Sequence, residues 1–195
     1  MATDVIELLK LTGALIAFRV AYARYVKAQE CKRAQFIGKQ WHQFESNAKV
    51  WNAMVMLDGR KVQLFKELEN GDRWWFEVDD QLIEQALLKQ GDYSEEMMAI
   101  LDSFDAFFDG VQRFGSLIES GLIKPKQLDP FLGHWIDIIG DERNDRKGSE
   151  TREAIWTYID KNSYRGIQRL FDTYGRPITS DRITHNNRSV VIPNP

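Results

Sequence analysis

Seven apolar residues, Ala34, Ile37, Trp41, Phe44, Ala48, Trp51 and Val55, recur at alternating intervals of three and four. An α-helix repeats every 3.6 residues, so this spacing returns each residue to one side of a helix. On a strand, which repeats every two, it scatters them over both faces. The stripe predicts one long coiled-coil-like helix, closed at Asp58-Gly59, where glycine accepts the left-handed conformation that ends helices.

The flanking segments follow the same period. Asp4 is expected to cap a first helix carrying Val5, Ile6, Leu8, Leu9, Leu11, Leu15, Ile16, Phe18 and Val20, with Glu7 near its start and Arg24 and Lys27 near its end, both favourable to the helix dipole. Asp79 caps a helix with Leu82, Ile83, Ala86 and Leu87, stopping at Gly91. Ser94 opens the longest one, where Met97, Leu101, Phe104, Phe108, Val111 and Ile118 share a stripe widened by Ile100, Phe107, Phe114 and Leu117. A stripe that broad belongs at the centre of a bundle. Gly121 ends it. Pro125 and Pro130 sit near the start of the next helix, with Phe131, Leu132, Trp135, Ile138 and Ile139 inward. Asp141 to Glu153 reads as a solvated, charge-dense loop entering a helix capped by Ser149, and Ser163 begins a last helix ending at Gly175.

Residues 60–78 admit two structures. Val62 and Leu64 with Trp74, Trp75, Phe76 and Val78 suit a hairpin turning at Asn70-Gly71 or at Asp58-Gly59. A short helix from Arg60 to Glu69, burying Leu64, Phe65 and Leu68, fits as well, and the helical flanks favour it. The fold class is therefore all-α, a multi-helix bundle with a long heptad-patterned N-terminal region and at most one small β-hairpin. Residues 1–30 form an apolar N-terminal helix, 31–175 the bundle, and 176–195 an extended tail.

Among 195 residues, 43% are hydrophobic and 28% charged, which excludes a disordered chain and a polytopic membrane protein. The net charge of -3 gives no general attraction to nucleic acid, which is not an expected partner. Its distribution is uneven. Arg19 to Lys49 holds seven basic and two acidic residues, a net +5, and Asp58 to Asp109 holds fourteen acidic and five basic, a net -9, so the two stretches attract each other within or between copies. Cys31 is the only cysteine, so no intrachain disulfide forms and a reducing compartment is the simpler setting.

Residues 5–26 are not a cleaved signal, because Asp4 and Glu7 come first and Arg19 to Arg33 follow. Nine strongly apolar residues contribute about -0.3 to -0.6 kcal/mol each on an insertion scale, and a central Lys or Arg costs about 3. Lys10 and Arg19 lie toward the ends, which leaves the sum near balance. A buried or oligomer-forming helix is the first reading and a membrane-associated one the second; if it inserts, the basic residues after it place the rest of the chain in the cytoplasm.

Catalytic signatures are sparse. Gly110 and Gly115 have phosphate-loop spacing without the following Lys. One Cys and three scattered His do not assemble a zinc site, and no Glu-x-x-His pair marks a di-iron site. Asp141, Arg143 and Asp145 imitate a calcium loop, but Arg146 stands where glycine is needed. No metal or cofactor is expected. His134, Asp137 and Asp141 share a helix face that suits either proton transfer or plain solvation, with solvation favoured. Asp102, Asp105 and Asp109 share another, read first as solvated, then as a partner of the basic band Arg24 to Lys39, then as a cation site. Four of six Trp (Trp41, Trp51, Trp135, Trp156) fall on inward stripes. Trp74-Trp75 cannot both face inward, so one is expected at an interface or membrane surface.

An apolar first helix, a basic stretch with Lys32, Arg33, Phe36 and Trp41, the pattern from Ile100 to Ile139 and a closing helix together resemble a group of uncharacterised bacterial proteins. These carry an N-terminal membrane-anchor helix and a cytoplasmic helical domain. The likeness covers Lys32 to Gly140, and Lys10 and Arg19 depart from the group's cleaner apolar span. It implies no activity and no residue roles, although small helical proteins of this kind look like accessory parts of larger, defence-type systems.

The expected function is non-enzymatic association, as a homo-oligomer or with a protein partner, in the cytoplasm or at the cytoplasmic face of the inner membrane. The expected interface residues are Leu8, Leu11, Leu15, Phe18, Ile37, Trp41, Phe44, Trp51 and Trp74. The alternatives are a membrane-perturbing or pore-forming effector using residues 5–26, and a divergent helical RNase using His134 or His185 with a nearby Arg; the tail residues Arg176, Arg182, His185 and Arg188 give nucleic-acid binding one mild support.

Overall fold

The computed structural model describes residues 2–67 and 70–178; the side chains of 2–12 and of Glu67 lie outside the described part, as do residues 179–195. Among the described residues, seven helices and one hairpin follow in order: α1 (Ala2–Glu45), α2 (Ala48–Asp58), β1 (Lys61–Glu67), β2 (Arg73–Asp79), α3 (Asp80–Leu88), α4 (Glu95–Glu119), α5 (Pro125–Gly140), α6 (Ser149–Lys161) and α7 (Arg165–Thr173). The all-α class with a small hairpin stands. The chain divides into two compact units, residues 1–40 and the part from Trp41 onward.

The N-terminal helices differ from expectation twice. The apolar first helix and the start of the heptad stripe are one helix of 44 residues, longer than α4, which passes through Asp4 and residue 30 without a break. The stripe itself is interrupted at Ser46-Asn47. Ser46 Oγ donates to the His42 carbonyl at 2.6 Å, and Asn47 Oδ1 accepts the Lys49 N–H at 2.9 Å, so short polar side chains satisfy backbone groups and restart the helix as α2. The restart changes the buried face. Val50, Ala53, Met54, Met56 and Leu57 turn inward on α2, and Trp51, read from the stripe as a core residue, is 54% exposed.

Residues 61–79 are a hairpin, which corrects the favoured helix. Its register pairs Lys61 with Asp79, Leu64 with Phe76 and Glu67 with Arg73. Leu64, Phe76 and Val78 are buried on one face, with Trp74 half-buried beside them, whereas Trp75 is exposed on the other. A lone hairpin is marginal in water, and burial of this alternating face favours strands over a helix that would have scattered the same residues. The turn uses Asn70-Gly71, with Gly71 at φ +83 and Asn70 Oδ1 accepting the Asp72 N–H.

From α2 onward the core is built around α4. Phe104, Phe107, Phe108, Val111 and Phe114 are buried, and α2, α3 and α7 pack on that helix. Asp79 and Ser94 cap α3 and α4 as expected, through the Leu82 and Met97 N–H groups. Gly110 and Gly115 are not a phosphate loop. Both lie inside α4 at close approaches: a Cβ on Gly110 would enter the Phe44 ring, and one on Gly115 would meet the Gly166 carbonyl oxygen at 3.0 Å. Glycine admits neighbours there that any side chain would push away.

The charge-dense segment after α5 is a loop with Glu142, Arg143, Asp145 and Arg146 exposed, but two of its charges are interior. Lys147 and Arg152 are 3% and 4% exposed. Arg152 lies on α6 and directs its guanidinium back into residues 138–147, donating to the carbonyls of Ile138, Glu142, Asn144 and Lys147. Lys147 Nζ reaches the Gly59 carbonyl at 2.6 Å and pairs with Asp80. Its burial pulls its pKa below the ordinary lysine value, against the raising effect of Asp80. The α6 N-cap is Gly148 rather than Ser149, and α7 is preceded by Tyr164 rather than opened by Ser163, which takes φ +58. Of the tail, Arg176 to Ile178 are described, and Ile178 is buried.

Candidate functional site

Three places carry exposed or titratable groups dense enough to consider: one face of α1, a cleft beside α4, and the cluster around His134.

The α1 face is apolar and open. Leu15, Phe18, Tyr22 and Tyr25 recur at intervals of three, four and three and are each about 60% exposed, with the Phe18 and Tyr22 rings stacked at 6.3 Å between centroids. Val26 borders the same side, and Phe36 returns to it only beyond Gln29 and Lys32, while Ile16 and Val20 are exposed on another. Leu8 and Leu11 continue the spacing toward the N-terminus in sequence, but their side chains lie outside the described part. With Leu15 at heptad position a, Phe18 is d, Tyr22 a, Tyr25 d, Gln29 a and Lys32 d, so the apolar seam stops at Lys32. Among the described residues, no helix is long and apolar enough to cross a membrane.

The remaining expected interface residues are placed elsewhere. Ile37, Trp41 and Phe44 are buried. Trp41 and Phe44 meet Phe114, and Phe44 also meets Phe107, at centroid distances from 5.5 to 6.2 Å. These rings belong to the chain's own core and offer a partner nothing. Trp51 is exposed, and Trp74 stacks on Phe76 at 4.8 Å, leaving Trp75 as the outward member of the pair.

The cleft, about 570 Å³, is lined by Lys49, Asn52, Phe65, Lys66, Met98, Asp102, Asp105 and Tyr158. The acidic face of α4 is resolved here residue by residue. Asp102 pairs with Lys49 at 2.8 Å, a bond between the basic and acidic stretches of the sequence. Asp105 is half-buried and accepts the hydroxyls of Tyr158 at 2.6 Å and Tyr164 at 2.9 Å, which corrects its reading as a solvated carboxylate. Burial, and then the hydrogen bond to Asp105, push both phenols well above their ordinary value.

The two phenols make stability depend on pH with a definite sign. A group whose folded pKa is raised contributes stability below its unfolded value, near 10 for tyrosine, and loses that contribution as pH rises toward the folded value. Denaturant melts are therefore expected to weaken steadily above about pH 10, and a Tyr158→Phe/Tyr164→Phe variant to lose most of that slope. Equal slopes for the two proteins would contradict the linkage.

At the third place, His134 Nε2 lies 3.4 Å from Asp58 Oδ1, which also takes Arg146 at 3.3 Å. Asp137 does not orient the histidine, because it accepts from Arg176 at 3.1 Å. Asp141 is bound by Arg143 and by Arg176, and the Arg143 side chain and backbone hold its carboxyl at about 2. The surface contacts of His134 and Asp137 thus point to polar pairing on a solvated helix face. Asp141 and Arg143 close a turn by themselves, and Arg182, His185 and Arg188 lie outside the described residues.

Sequence reasoning missed three features. Tyr22 and Tyr25 continue the heptad spacing of Leu8, Leu11, Leu15 and Phe18 and were legible by counting tyrosine as apolar. The Asp105-Tyr158-Tyr164 contact joins residues 53 and 59 positions apart, for which no local pattern exists. The third is Trp75 with Phe65 and Arg73 on the outward face of the hairpin, where the Arg73 guanidinium sits 4.5 Å from the Phe65 ring centroid.

In comparisons with protein-family models, curated proteins and solved structures, nothing matches this chain.

Proposed function

We propose that this chain is a non-enzymatic association protein that self-assembles by pairing α1 helices in parallel through the Leu15, Phe18, Tyr22, Tyr25 seam. The observation that carries the reading is that four consecutive a and d positions are exposed side by side on one helix. Charge favours a second copy in parallel. In that arrangement Arg19 and Arg33, at position e, face Ala14 and Ala28 of the partner at position g, so like charges do not meet. The antiparallel arrangement sets e against e and brings arginines together. Lys32 at d ends the seam by placing equal charges across it. Place of work is proposed as the cytoplasm, in keeping with the single exposed thiol, Cys31.

Light scattering of the full chain at micromolar concentration is expected to give an oligomer that persists or grows as salt is raised, because salt screens the basic residues beside an apolar seam. Assembly driven by the +5 and -9 stretches would instead weaken with salt. Leu15→Glu with Phe18→Glu sets uncompensated carboxylates in the seam and is expected to reduce that association by about 100-fold or more without changing the circular dichroism. A wild-type protein that stays monomeric at tens of micromolar overturns the reading. Binding to lipid vesicles by that monomer, lost in the variant, would transfer the face to a membrane surface.

A further inference from the structure

The two long edges of the hairpin are not equivalent. The Asp80 N–H donates to the Arg60 carbonyl at 3.2 Å, which sets the phase of the ladder. Even-numbered residues exchange hydrogen bonds within the hairpin, and odd-numbered ones turn their N–H and C=O outward. On the β1 edge, the outward carbonyl of Phe65 is taken by Asn52 Nδ2 at 2.7 Å. On the β2 edge, the backbone groups of Trp75 and Glu77 have no hydrogen-bond partner among the described residues, and Arg73, Trp75 and Glu77 all expose their side chains. An open edge of this kind is a template for another strand.

We infer that β2 is a self-pairing edge that joins two copies of this chain into one four-stranded antiparallel sheet, with the two-fold axis at Trp75. The residues select both occupant and register. Antiparallel pairing centred on Trp75 sets Trp75 against the partner's Trp75 and Arg73 against the partner's Glu77, an exposed carboxylate that Lys61 of its own hairpin also reaches at 2.9 Å, so each facing pair is aromatic on aromatic or cation on anion. Trp75 turns outward on both strands, so the central pair exchanges two hydrogen bonds. Parallel pairing puts Arg73 on Arg73 and Glu77 on Glu77. A shift by two residues either sets Trp75 against the partner's Glu77 and brings in Asp79, whose carboxylate already caps α3, or sets Trp75 against the partner's Arg73 and Glu77 against the partner's Gly71; neither keeps the central aromatic pair. A contact that maps onto itself under a two-fold axis closes at a dimer.

The inference extends the self-assembly reading to a surface other than the α1 seam. Two different self-complementary contacts on one chain link copies beyond a dimer, into a closed dihedral assembly or an open string. The full chain is therefore expected to grow beyond a dimer as concentration rises, and the Leu15→Glu/Phe18→Glu variant to stop at a dimer. In that variant the amide exchange of Trp75 and Glu77 should slow by about tenfold or more between low and high concentration. Adding Arg73→Glu or Glu77→Arg alone places like charges opposite each other twice and is expected to weaken the remaining dimer by about tenfold, while both together restore it. Trp75→Pro deletes an outward N–H without touching the intrachain ladder and is expected to leave a folded monomer. A Leu15→Glu/Phe18→Glu protein that is monomeric at every concentration, with unchanged exchange at Trp75, overturns the β2 contact and leaves the α1 reading standing. A dimer indifferent to the charge reversals and to Trp75→Pro also overturns it. A wild type that is itself monomeric removes both.

Discussion

Gly110→Ala is expected to destabilise the protein by about 2 kcal/mol, although alanine is the better helix former by up to about 1 kcal/mol in a helix interior. Gly110 lies in the middle of α4, and a Cβ there would overlap the Phe44 ring. That ring cannot withdraw freely, since Trp41, Phe107 and Phe114 stand 5.3 to 5.7 Å from its centroid. Overpacking a close-packed core costs about 1 to 3 kcal/mol, with the upper end where the obstacle is itself hemmed in, so the clash outweighs the propensity gain. Urea unfolding of the variant should show a lower midpoint with unchanged slope. Gly38→Ala provides the contrast, because an added Cβ meets nothing within 4 Å, and it is expected to be neutral or stabilising. Equal effects at the two glycines would sink the packing argument.

Arg152→Met is expected to cost about 3 to 5 kcal/mol, the largest effect of any single change proposed for this chain. Methionine fills much of the same volume and supplies no donor. The carbonyls of Ile138, Glu142, Asn144 and Lys147, which now converge on one guanidinium, would be left to find water in a segment whose neighbour Lys147 is buried. Burial pulls the guanidinium's pKa down, against the raising pull of Glu142 and Asp141, yet the charge stays because arginine holds its proton far above neutral pH. Hydrogen exchange gives a second readout: the amides of 141–148 should open well before the α4 core in the variant. A loss under about 1 kcal/mol, with no local change in exchange, would show that the loop is held by something else.

Both positions were visible in the sequence but were misread there. Gly110 stood in a spacing that suggested phosphate, and Arg152 in a run of charges that suggested solvent. A local pattern reports which face a residue shares with its neighbours, not what arrives from 66 positions away, as Phe44 does at Gly110. The same limit explains Trp51. Its place in the three-four stripe is correct along the chain, but Ser46-Asn47 restarts the helix and turns a different face inward. The hairpin was one of two structures compatible with its residues, and burial of Leu64, Phe76 and Val78 on one face decided between them.

What the linear order of residues determined by itself was periodicity and its punctuation. The caps Asp79 and Ser94, the broad α4 stripe and the three-four spacing of Leu15 and Phe18 all follow from interactions within a few residues, where backbone geometry leaves little choice. Only the tertiary structure decided which charged groups are interior, which glycines are contacts, which heptad residues the core consumes and which hairpin edge is left open. Those outcomes depend on desolvation and close packing between segments distant in sequence, and both are properties of an assembled neighbourhood that no single segment contains.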